Sequence, residues 1–251
     1  MTSIYRPECS NAKRPLTFEI MAQDEKGEAS RLFIAGENPL TLYIDKQEIV
    51  TLMTLGQCPE ALAIGYLRNQ RLIEHVEDLV SVQVDWEVNA CAITTRKGIR
   101  NLSARLAKRT VTTGCGQGTV FGNLMEEIDS IHLPPEARLT ESVLLSLLDN
   151  MRTHETIYKQ AGAVHGCALT DNLGQILIYV EDVGRHNAVD AIAGQMWLDR
   201  LQPEDKIFYT TGRLTSEMVI KCAQMGIPFL VSRSGLTQMG YEIACQVGIT
   251  L

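Results

Sequence analysis

The chain has 251 residues, of which 45% are hydrophobic and 21% charged, the usual composition of a globular protein with a sizeable core. Its formal net charge of −7 argues against sequence-independent binding to nucleic acid or to an anionic membrane surface, so we expect neither as a partner. No apolar run approaches the roughly 20 residues of a membrane helix. The polar start, Met1 to Arg14, lacks the apolar segment of a signal peptide, so we expect a cytoplasmic protein.

The first half of the chain has the pattern of short strands around one helix. The helix is predicted to begin at Pro59, a favourable first helical residue. A half-buried strand is predicted over 80–86, where apolar and polar residues alternate strictly. Further strands are predicted at 16–21, 31–35, 40–44 and 49–52, and Cys91 is assigned to another.

A basic stretch at 100–109 and a glycine-rich loop at 114–122 follow these strands. Pro134 and Pro135 then mark the expected domain boundary. We therefore predict a smaller, β-rich α+β domain over 1–134, which ends in the glycine-rich loop, and an α/β domain over 135–251.

The second half alternates strands with helices. A helix is predicted from Glu141 to about Thr153 with Thr140 as its N-cap. Strands are then expected at 164–169, 175–180, 206–209 and 229–232, and helices at 188–198, 216–225 and 237–247. This alternation predicts a parallel sheet covered by helices, and hence the α/β class.

The seven cysteines show no regular spacing and no C-x-x-C pair, which argues against a disulfide framework and a metal site. Four of them fall inside predicted strands or helices and are expected to fill the core: Cys91, Cys167, Cys222 and Cys245. Cys58 stands at a helix start, where the helix dipole could lower its pKa, and is a poor rival nucleophile.

Cys115 lies in a different setting, because Gly114 and Gly116 flank it and leave the thiol little cover. Nearby cations favour the thiolate, the nucleophilic form, and three of them lie just upstream: Arg105, Lys108 and Arg109. A mobile thiolate suits sulfur relay. The alternatives are a phosphate-binding glycine loop, in which the cysteine is incidental, and a plain surface turn. No Lys-Ser/Thr follows as in a P-loop.

Three successive strand ends in the second half each combine a glycine with an arginine, at 181–186, 210–216 and 232–237. Ligands of open sheets bind beyond the carboxyl ends of the strands, and helix N-termini there suit phosphate. The junctions therefore predict a site for a diphosphate or nucleotide, with these candidates: Arg185, His186, Arg213, Thr215, Ser216, Arg233, Ser234 and Thr237.

The alternative is purely structural. Arg185 could pair with Asp182 or Glu181, Arg213 could pair with Glu217, and the hydroxyl groups could only cap helices. Three similar junctions in succession favour the anion site over this alternative. His165, inside a predicted strand, is more typical of a core histidine.

With these residues identified, the chain resembles the FdhD (NarQ) family of formate dehydrogenase accessory proteins over most of its length. The most specific stretch is Glu181 to Asp190, which reads EDVGRHNAVD. Shorter stretches add to it: Asn38-Pro39-Leu40, the 59–67 helix, Thr113 to Gly116, Gly162 to His165, Gly212-Arg213 and Ser216-Glu217-Met218.

The resemblance implies a persulfide carrier rather than a turnover enzyme. Family members take sulfur from a cysteine desulfurase onto the loop cysteine, here Cys115. They pass it to the bis-molybdopterin guanine dinucleotide cofactor, bound only transiently, before that cofactor enters the formate dehydrogenase catalytic subunit. The resemblance also implies a C-terminal domain with a cytidine-deaminase-like layered fold, and a homodimer. The zinc signature of the deaminases is absent from the sequence.

Two departures from the family pattern bear on function. Many members have a second loop cysteine where this chain has Gly118, so a resolving thiol is missing. In the family a basic stretch linked to cofactor binding follows the position of Leu251, so contacts from such a segment are not assigned. A cofactor-binding chaperone without sulfur transfer and a deaminase-fold hydrolase stay open as alternatives.

Overall fold

The computed structural model describes residues 5–100, 102, 110–111, 118–119, 128–154 and 156–251. Cys115 lies outside these residues, as do the three cations predicted to support its thiolate: Arg105, Lys108 and Arg109. The described helices are α1 (Pro59–Asn69), α2 (Glu141–His154), α3 (Ile157–Ala161), α4 (Arg185–Asp199), α5 (Ser216–Met225) and α6 (Gln238–Val247). None of them combines the length and the apolar character needed to cross a bilayer.

The strands of the first half form three sheets. Five strands in the order β1-β6-β7-β4-β5 make the largest: β1 (Glu8–Cys9), β4 (Asn38–Ile44), β5 (Gln47–Thr54), β6 (Leu79–Asp85) and β7 (Ala90–Thr95). A separate antiparallel ribbon pairs β2 (Thr17–Gln23) with β3 (Ala29–Ala35). A short antiparallel pair joins β8 (Thr110–Val111) to β9 (Gly118–Thr119).

Each of these predicted strands is confirmed, with bounds that differ from the prediction by at most two residues. In β4, Leu40, Leu42 and Ile44 are fully buried, as the period of two requires for one core-facing surface. Asp45 and Lys46 adopt positive φ values of 47° and 73° in the two-residue turn to β5, a geometry that suits the twist of a hairpin.

The second half contains a four-stranded sheet in the order β11-β10-β12-β13, formed by β10 (His165–Thr170), β11 (Ile176–Asp182), β12 (Ile207–Thr210) and β13 (Phe229–Ser232). The prediction of a parallel sheet is wrong for β10, which is antiparallel to both of its neighbours. The tight turn over 171–174 folds β11 back along β10 as a hairpin, and β12 then pairs with the other edge of β10. Only β12 and β13 are adjacent and parallel.

Helices cover both faces of this sheet. On one face, Leu147 and Met151 of α2 pack with Ala168, Ile207 and Tyr209. On the other face, strand residues such as Phe208 join a larger core to which α4 and α5 contribute, and this core continues into the five-stranded sheet. The predicted α/β class with a layered second half is confirmed. The boundary at 134/135 stays a prediction.

Helices α1 and α4 connect the two halves through direct backbone contact. A Cβ atom added at Gly65 would lie 1.6 Å from the carbonyl oxygen of Asp190, and one added at Gly194 would lie 1.9 Å from that of Ala61. No other residue type fits at either position, because both obstacles are main-chain atoms. The crossing therefore holds α1 of the first half directly against α4, the helix that follows the Glu181–Gly184 segment.

Candidate functional site

The site lies along one edge of the four-stranded sheet, by which we mean the edge formed by strand ends and not an outer strand. Because β10 runs antiparallel to β11 and β12, the ends of β11, β12 and β13 lie on the same edge. The register shows this directly: Asp182 pairs with His165, Thr210 with Cys167, and Thr210 also with Ser232. The structure therefore brings the three glycine–arginine junctions together and adds the start of β10.

Arg185 is the most buried arginine of the candidate set, with 5% exposure. Helix α4 begins at Arg185, three residues earlier than predicted, with Gly184 as its N-cap. A Cβ atom at Gly212 would lie 2.8 Å from Cδ of Arg185, so the glycine of the second junction gives the arginine of the first its space. The Nε–H of Arg185 is buried, and no described residue accepts a hydrogen bond from it.

The acidic residues beside Arg185 are engaged elsewhere. The carboxylate of Glu181 accepts hydrogen bonds from the backbone N–H groups of Ile157 and Tyr158, at 2.9 and 3.0 Å, and so caps α3. Asp182 accepts from the side chain of Asn187 and from two backbone N–H groups, those of Leu55 at 3.0 Å and Gly184 at 2.9 Å. Among the described ion pairs, neither acid pairs with Arg185.

A buried polar network lies behind Arg185. The ammonium of Lys221, fully buried, is 2.8 Å from Oδ2 of Asp190 and 3.4 Å from Oε1 of Glu217. Burial acts to lower the pKa of Lys221, but the two carboxylates outweigh it and the pKa lies above its ordinary value. Asn69 donates to the other oxygen of Asp190 at 2.7 Å, so the network also reaches α1.

His186 lies between this network and Arg185. Its Nε2 atom is 3.5 Å from Oε2 of Glu217, too long for a hydrogen bond, and has no other partner in the described part of the chain. Burial lowers the pKa of His186 to about 3, and Glu217 only partly opposes this effect. The imidazole is therefore neutral at physiological pH. Glu217 contacts His186 and Lys221, and no described ion pair joins it to Arg213.

Two cations act on His165 at the start of β10. Burial lowers the pKa of this histidine, and Arg185 and Arg213 lower it further. Arg213 itself is exposed. The effect places both guanidinium groups within electrostatic reach of one imidazole.

The second and third junctions are held together by hydrogen bonds. Leu214 forms a β-bridge with Leu236, and its N–H donates to the carbonyl of Gly235 at 3.0 Å. The hydroxyl of Ser232 donates to the carbonyl of Gly212 at 2.7 Å and accepts from the N–H of Ser234 at 2.9 Å. These contacts fix the turns from which α5 and α6 begin.

The four predicted hydroxyl residues differ in what they do. Thr237 caps α6, accepting from the N–H of Gly240 at 3.2 Å, so here the structural alternative is correct. Thr215 is the N-cap residue of α5, but its side chain makes no cap bond, and its buried Oγ1 has no partner among the residues that the structure describes. Ser216 is the half-buried first residue of α5, and Ser234 is exposed.

Arg233 lies at the end of β13 with its guanidinium 5.8 Å from the ring centroid of Tyr158 in α3. It is exposed and belongs to the rim of the edge rather than to its buried part. Among the described residues, the candidates with a buried side-chain atom that lacks a hydrogen-bond partner are therefore Arg185, His186 and Thr215.

The predicted carrier cysteine falls between two paired strands. Thr110 pairs with Thr119 and Val111 with Gly118, so residues 112–117, including Cys115, connect β8 to β9. Cys115 itself lies outside the described residues.

Comparison with known proteins identifies the family. The sequence profile of the FdhD/NarQ family matches residues 35–251, which is most of the chain. The chain belongs to the FdhD/NarQ family.

Relatives and a solved structure agree with this assignment. The chain is 30% identical over 243 residues to the sulfur carrier protein FdhD of Sulfurisphaera tokodaii, covering 95% of this chain and 91% of the relative. It is 29% identical over 215 residues to the sulfur carrier protein FdhD of Wolinella succinogenes, covering 86% of this chain and 74% of the relative. A crystal structure described as a formate dehydrogenase accessory protein from Desulfotalea psychrophila superposes with a TM-score of 0.73 at 27% sequence identity. The match covers 94% of this chain and 92% of that protein.

Most other thiols of this FdhD/NarQ chain are unsuited to nucleophilic chemistry. Burial, with help from Glu60 and Asp182, raises the pKa of Cys58 to about 11, so it is a thiol at neutral pH. Burial also raises the pKa of Cys167 to about 12 and those of Cys91 and Cys222.

Cys245 was predicted to fill the core, and this prediction is wrong. Helix α6 packs through Gly240, Ile243, Ala244 and Val247, which leaves Cys245 exposed on its outer face.

Sequence reasoning missed two contributions to the site. His165 reaches the edge because β10 is antiparallel, a fact that strand periodicity does not reveal. The pairing of Lys221 with Asp190 was also missed, although a lysine within an otherwise apolar helix face was a signal. Within the described residues, no group of three metal-binding side chains occurs.

Proposed function

We propose that this FdhD/NarQ chain carries sulfur as a persulfide on Cys115, from a cysteine desulfurase to bis-molybdopterin guanine dinucleotide, for the maturation of formate dehydrogenase. The observation that carries the proposal is the glycine-flanked cysteine in the segment joining β8 to β9, in a chain whose relatives are named sulfur carrier proteins. The proposal includes a homodimer acting in the cytoplasm.

The chemistry is two successive transfers. The Cys115 thiolate attacks the outer sulfur of the donor persulfide, a new S–S bond forms at Cys115, and the donor cysteine leaves as a thiolate. Release of that sulfur as sulfide requires a second thiol to attack the inner sulfur of Cys115, giving a disulfide and hydrosulfide. Because glycine occupies position 118, the loop itself supplies no such thiol, and a low-molecular-weight thiol would serve instead.

The edge of the four-stranded sheet supplies the other half of the proposal. Within the described ranges the buried Nε–H of Arg185 and the buried Oγ1 of Thr215 have no partner, and α5 begins directly after Thr215. A diphosphate would accept hydrogen bonds from these donors. The neutral His186 adds no charge that would change with pH in the physiological range.

Mass spectrometry of the intact protein tests the carrier role. After incubation with a cysteine desulfurase and cysteine, we expect one added sulfur atom, located on the Cys115 peptide. Cys115→Ser should abolish the addition, and Cys245→Ser, which removes an exposed thiol, should not. Addition to Cys58 with an unmodified Cys115 would refute the assignment.

Calorimetry with guanosine diphosphate tests the anion site separately. A charge-assisted hydrogen bond contributes about 1.5–3 kcal/mol, so Arg185→Gln should weaken binding roughly 10- to 100-fold. Arg138, an exposed arginine outside the edge, gives a matched control as Arg138→Gln. Equal affinity of the Arg185→Gln variant and the unmodified protein would contradict the placement of the diphosphate.

A binding chaperone that holds the cofactor without moving sulfur is the second candidate, favoured by Gly118 in place of the second loop cysteine. Cys115→Ser distinguishes the two in a formate dehydrogenase activation assay. A carrier loses all activation, whereas a chaperone retains it.

A further inference from the structure

A cavity of about 290 Å³ lies where α1, α4 and α5 end. Its volume is at the lower end of the range of small-molecule sites. Three side chains from the last turns of these helices and three from the loop after α1 line it: Arg68, Trp197, Gln224, Arg71, Ile73 and Glu74. Arg185 and Trp197 lie roughly 18 Å apart along α4, at about 1.5 Å per residue, so the cavity is separate from the proposed diphosphate site.

The amide of Gln224 lacks the partners that a buried amide normally has. Its Nε2 and Oε1 atoms are both buried, and neither forms a hydrogen bond with any described residue. Native proteins leave few buried polar atoms unpaired, so an amide with both ends unpaired calls for an occupant. Because Gln224 lines the cavity, a bound molecule that both donates and accepts hydrogen bonds would satisfy it.

Two arginines make one wall of the cavity positive. The guanidinium of Arg68 lies 4.9 Å from the ring centroid of Trp197, and its Nη1 donates to the carbonyl of Ala193 at 2.9 Å. Among the described ion pairs, none involves Arg68. Burial lowers the pKa of Arg68 to about 10, and the charge of Arg71 adds to this effect, so the two cations are close together. Arg68 is therefore a charged donor, held in place by an indole ring and suited to bind a carboxylate.

The other wall of the cavity is negative. Glu74 is exposed, and no described ion pair occupies its carboxylate. The ends of α1, α4 and α5 also carry the partial negative charge of unpaired carbonyl groups, which attracts cations. A simple polyanion would be repelled by this wall. A ligand with one anionic and one cationic group matches both walls.

We propose that this cavity binds a free α-amino acid with an apolar side chain. The α-carboxylate pairs with Arg68 and Arg71, and the α-ammonium faces Glu74 and the helix ends. The side chain of the ligand packs against the indole of Trp197. The amide of Gln224 donates to the carboxylate and accepts from the ammonium. This binding site goes beyond the proposed persulfide relay, which uses none of these residues.

The fluorescence of Trp197 tests the site directly. The chain has two tryptophans, so Trp86→Phe leaves Trp197 as the only indole. This full-length variant is titrated with L-leucine, L-methionine and L-phenylalanine. At least one of them should give a saturable change that is half-complete below about 1 mM. Analogues of the bound amino acid that lack the ammonium or the carboxylate should bind at least about tenfold more weakly. For leucine these are 4-methylpentanoate and isoamylamine.

Substitutions in the same Trp86→Phe background test the two walls. Arg68→Gln should weaken binding of the amino acid about 10- to 100-fold, since a charge-assisted hydrogen bond is lost. Arg96→Gln is the matched control and should leave binding unchanged. Arg96 also stacks on an aromatic ring, that of Tyr5 at 4.8 Å, and donates to one backbone carbonyl, that of Glu77 at 2.6 Å. Glu74→Gln, at an exposed position, should reduce the preference for the amino acid over its analogue without the ammonium.

Circular dichroism and a thermal melt establish that each variant is folded. The proposal would be overturned if none of the three amino acids gave a saturable change up to about 10 mM. Equal binding of the analogue without the ammonium, or unchanged affinity of folded Arg68→Gln, would overturn it as well. Saturable binding of inorganic phosphate alone would identify a simple anion site instead. Saturating guanosine diphosphate should not displace the amino acid. None of these readouts depends on sulfur transfer, so failure here leaves the role of Cys115 standing.

Discussion

Replacing Lys221 by methionine is the most informative perturbation of the buried network. Methionine keeps the length of the side chain but removes the ammonium 2.8 Å from Asp190 and 3.4 Å from Glu217. At an effective dielectric constant of about 20, these separations correspond to roughly 6 and 5 kcal/mol of attraction. Desolvation of the buried ion, several kcal/mol, offsets part of this, and two uncompensated carboxylates remain. We expect Lys221→Met to lower the free energy of unfolding by about 3–5 kcal/mol at pH 7.

The pH dependence of this loss gives the refuting result. Without the ammonium, the pKa values of Asp190 and Glu217 rise in the folded state, so the variant binds more protons when folded than when unfolded. Its stability should therefore recover as pH falls toward 5, and the deficit in urea unfolding should narrow. Lys26→Met, at an exposed turn, is the control and should change stability by less than about 0.5 kcal/mol. A loss under about 1 kcal/mol at pH 7, or one that grows on acidification, would refute the reasoning.

Three further predictions follow from burial and packing. Gly65→Ala should destabilise by about 3 kcal/mol or more in urea, because its Cβ meets backbone, whereas Gly235→Ala, with open space, should be neutral. His186→Gln should reduce the decrease in the free energy of unfolding between about pH 6.5 and pH 3. The low pKa of His186 makes stability fall by about 1.4 kcal/mol per pH unit from about 6.5 toward 3, so a slope unchanged in the variant would contradict it. Peptide mapping after brief iodoacetamide treatment at pH 7 should show Cys245 alkylated well before Cys58, and equal rates would contradict the burial of Cys58.

The local elements of this protein could be predicted from its sequence, because periodicity and turn residues act over a few neighbours. The strands around Leu40 and the helix beginning at Pro59 show this. Pairing could not be predicted in the same way. The patterns of β2 and β3 resemble those of β4 and β5, yet the first pair stands apart from the larger sheet.

The candidate site shows the same division. Arginine and glycine at each junction were visible in the sequence, but their relation was not. Gly212 matters because it makes room for Arg185, a contact between residues far apart in the chain. Lys221 was likewise invisible as a partner of Asp190 until the two helices were packed together. Capping by Thr237, a purely local interaction, was foreseen as the structural alternative.

The crossing of α1 and α4 has a mechanical consequence. Main-chain atoms of α1 and α4 are in direct contact at Gly65 and Gly194, with no side chains between the two helices at these positions. A hinge motion at this crossing would therefore have to break that contact. The frame that holds the arginines is therefore stiff. For the proposed persulfide relay, transfer of sulfur between two partners therefore cannot rely on opening and closing of this frame at the α1–α4 crossing.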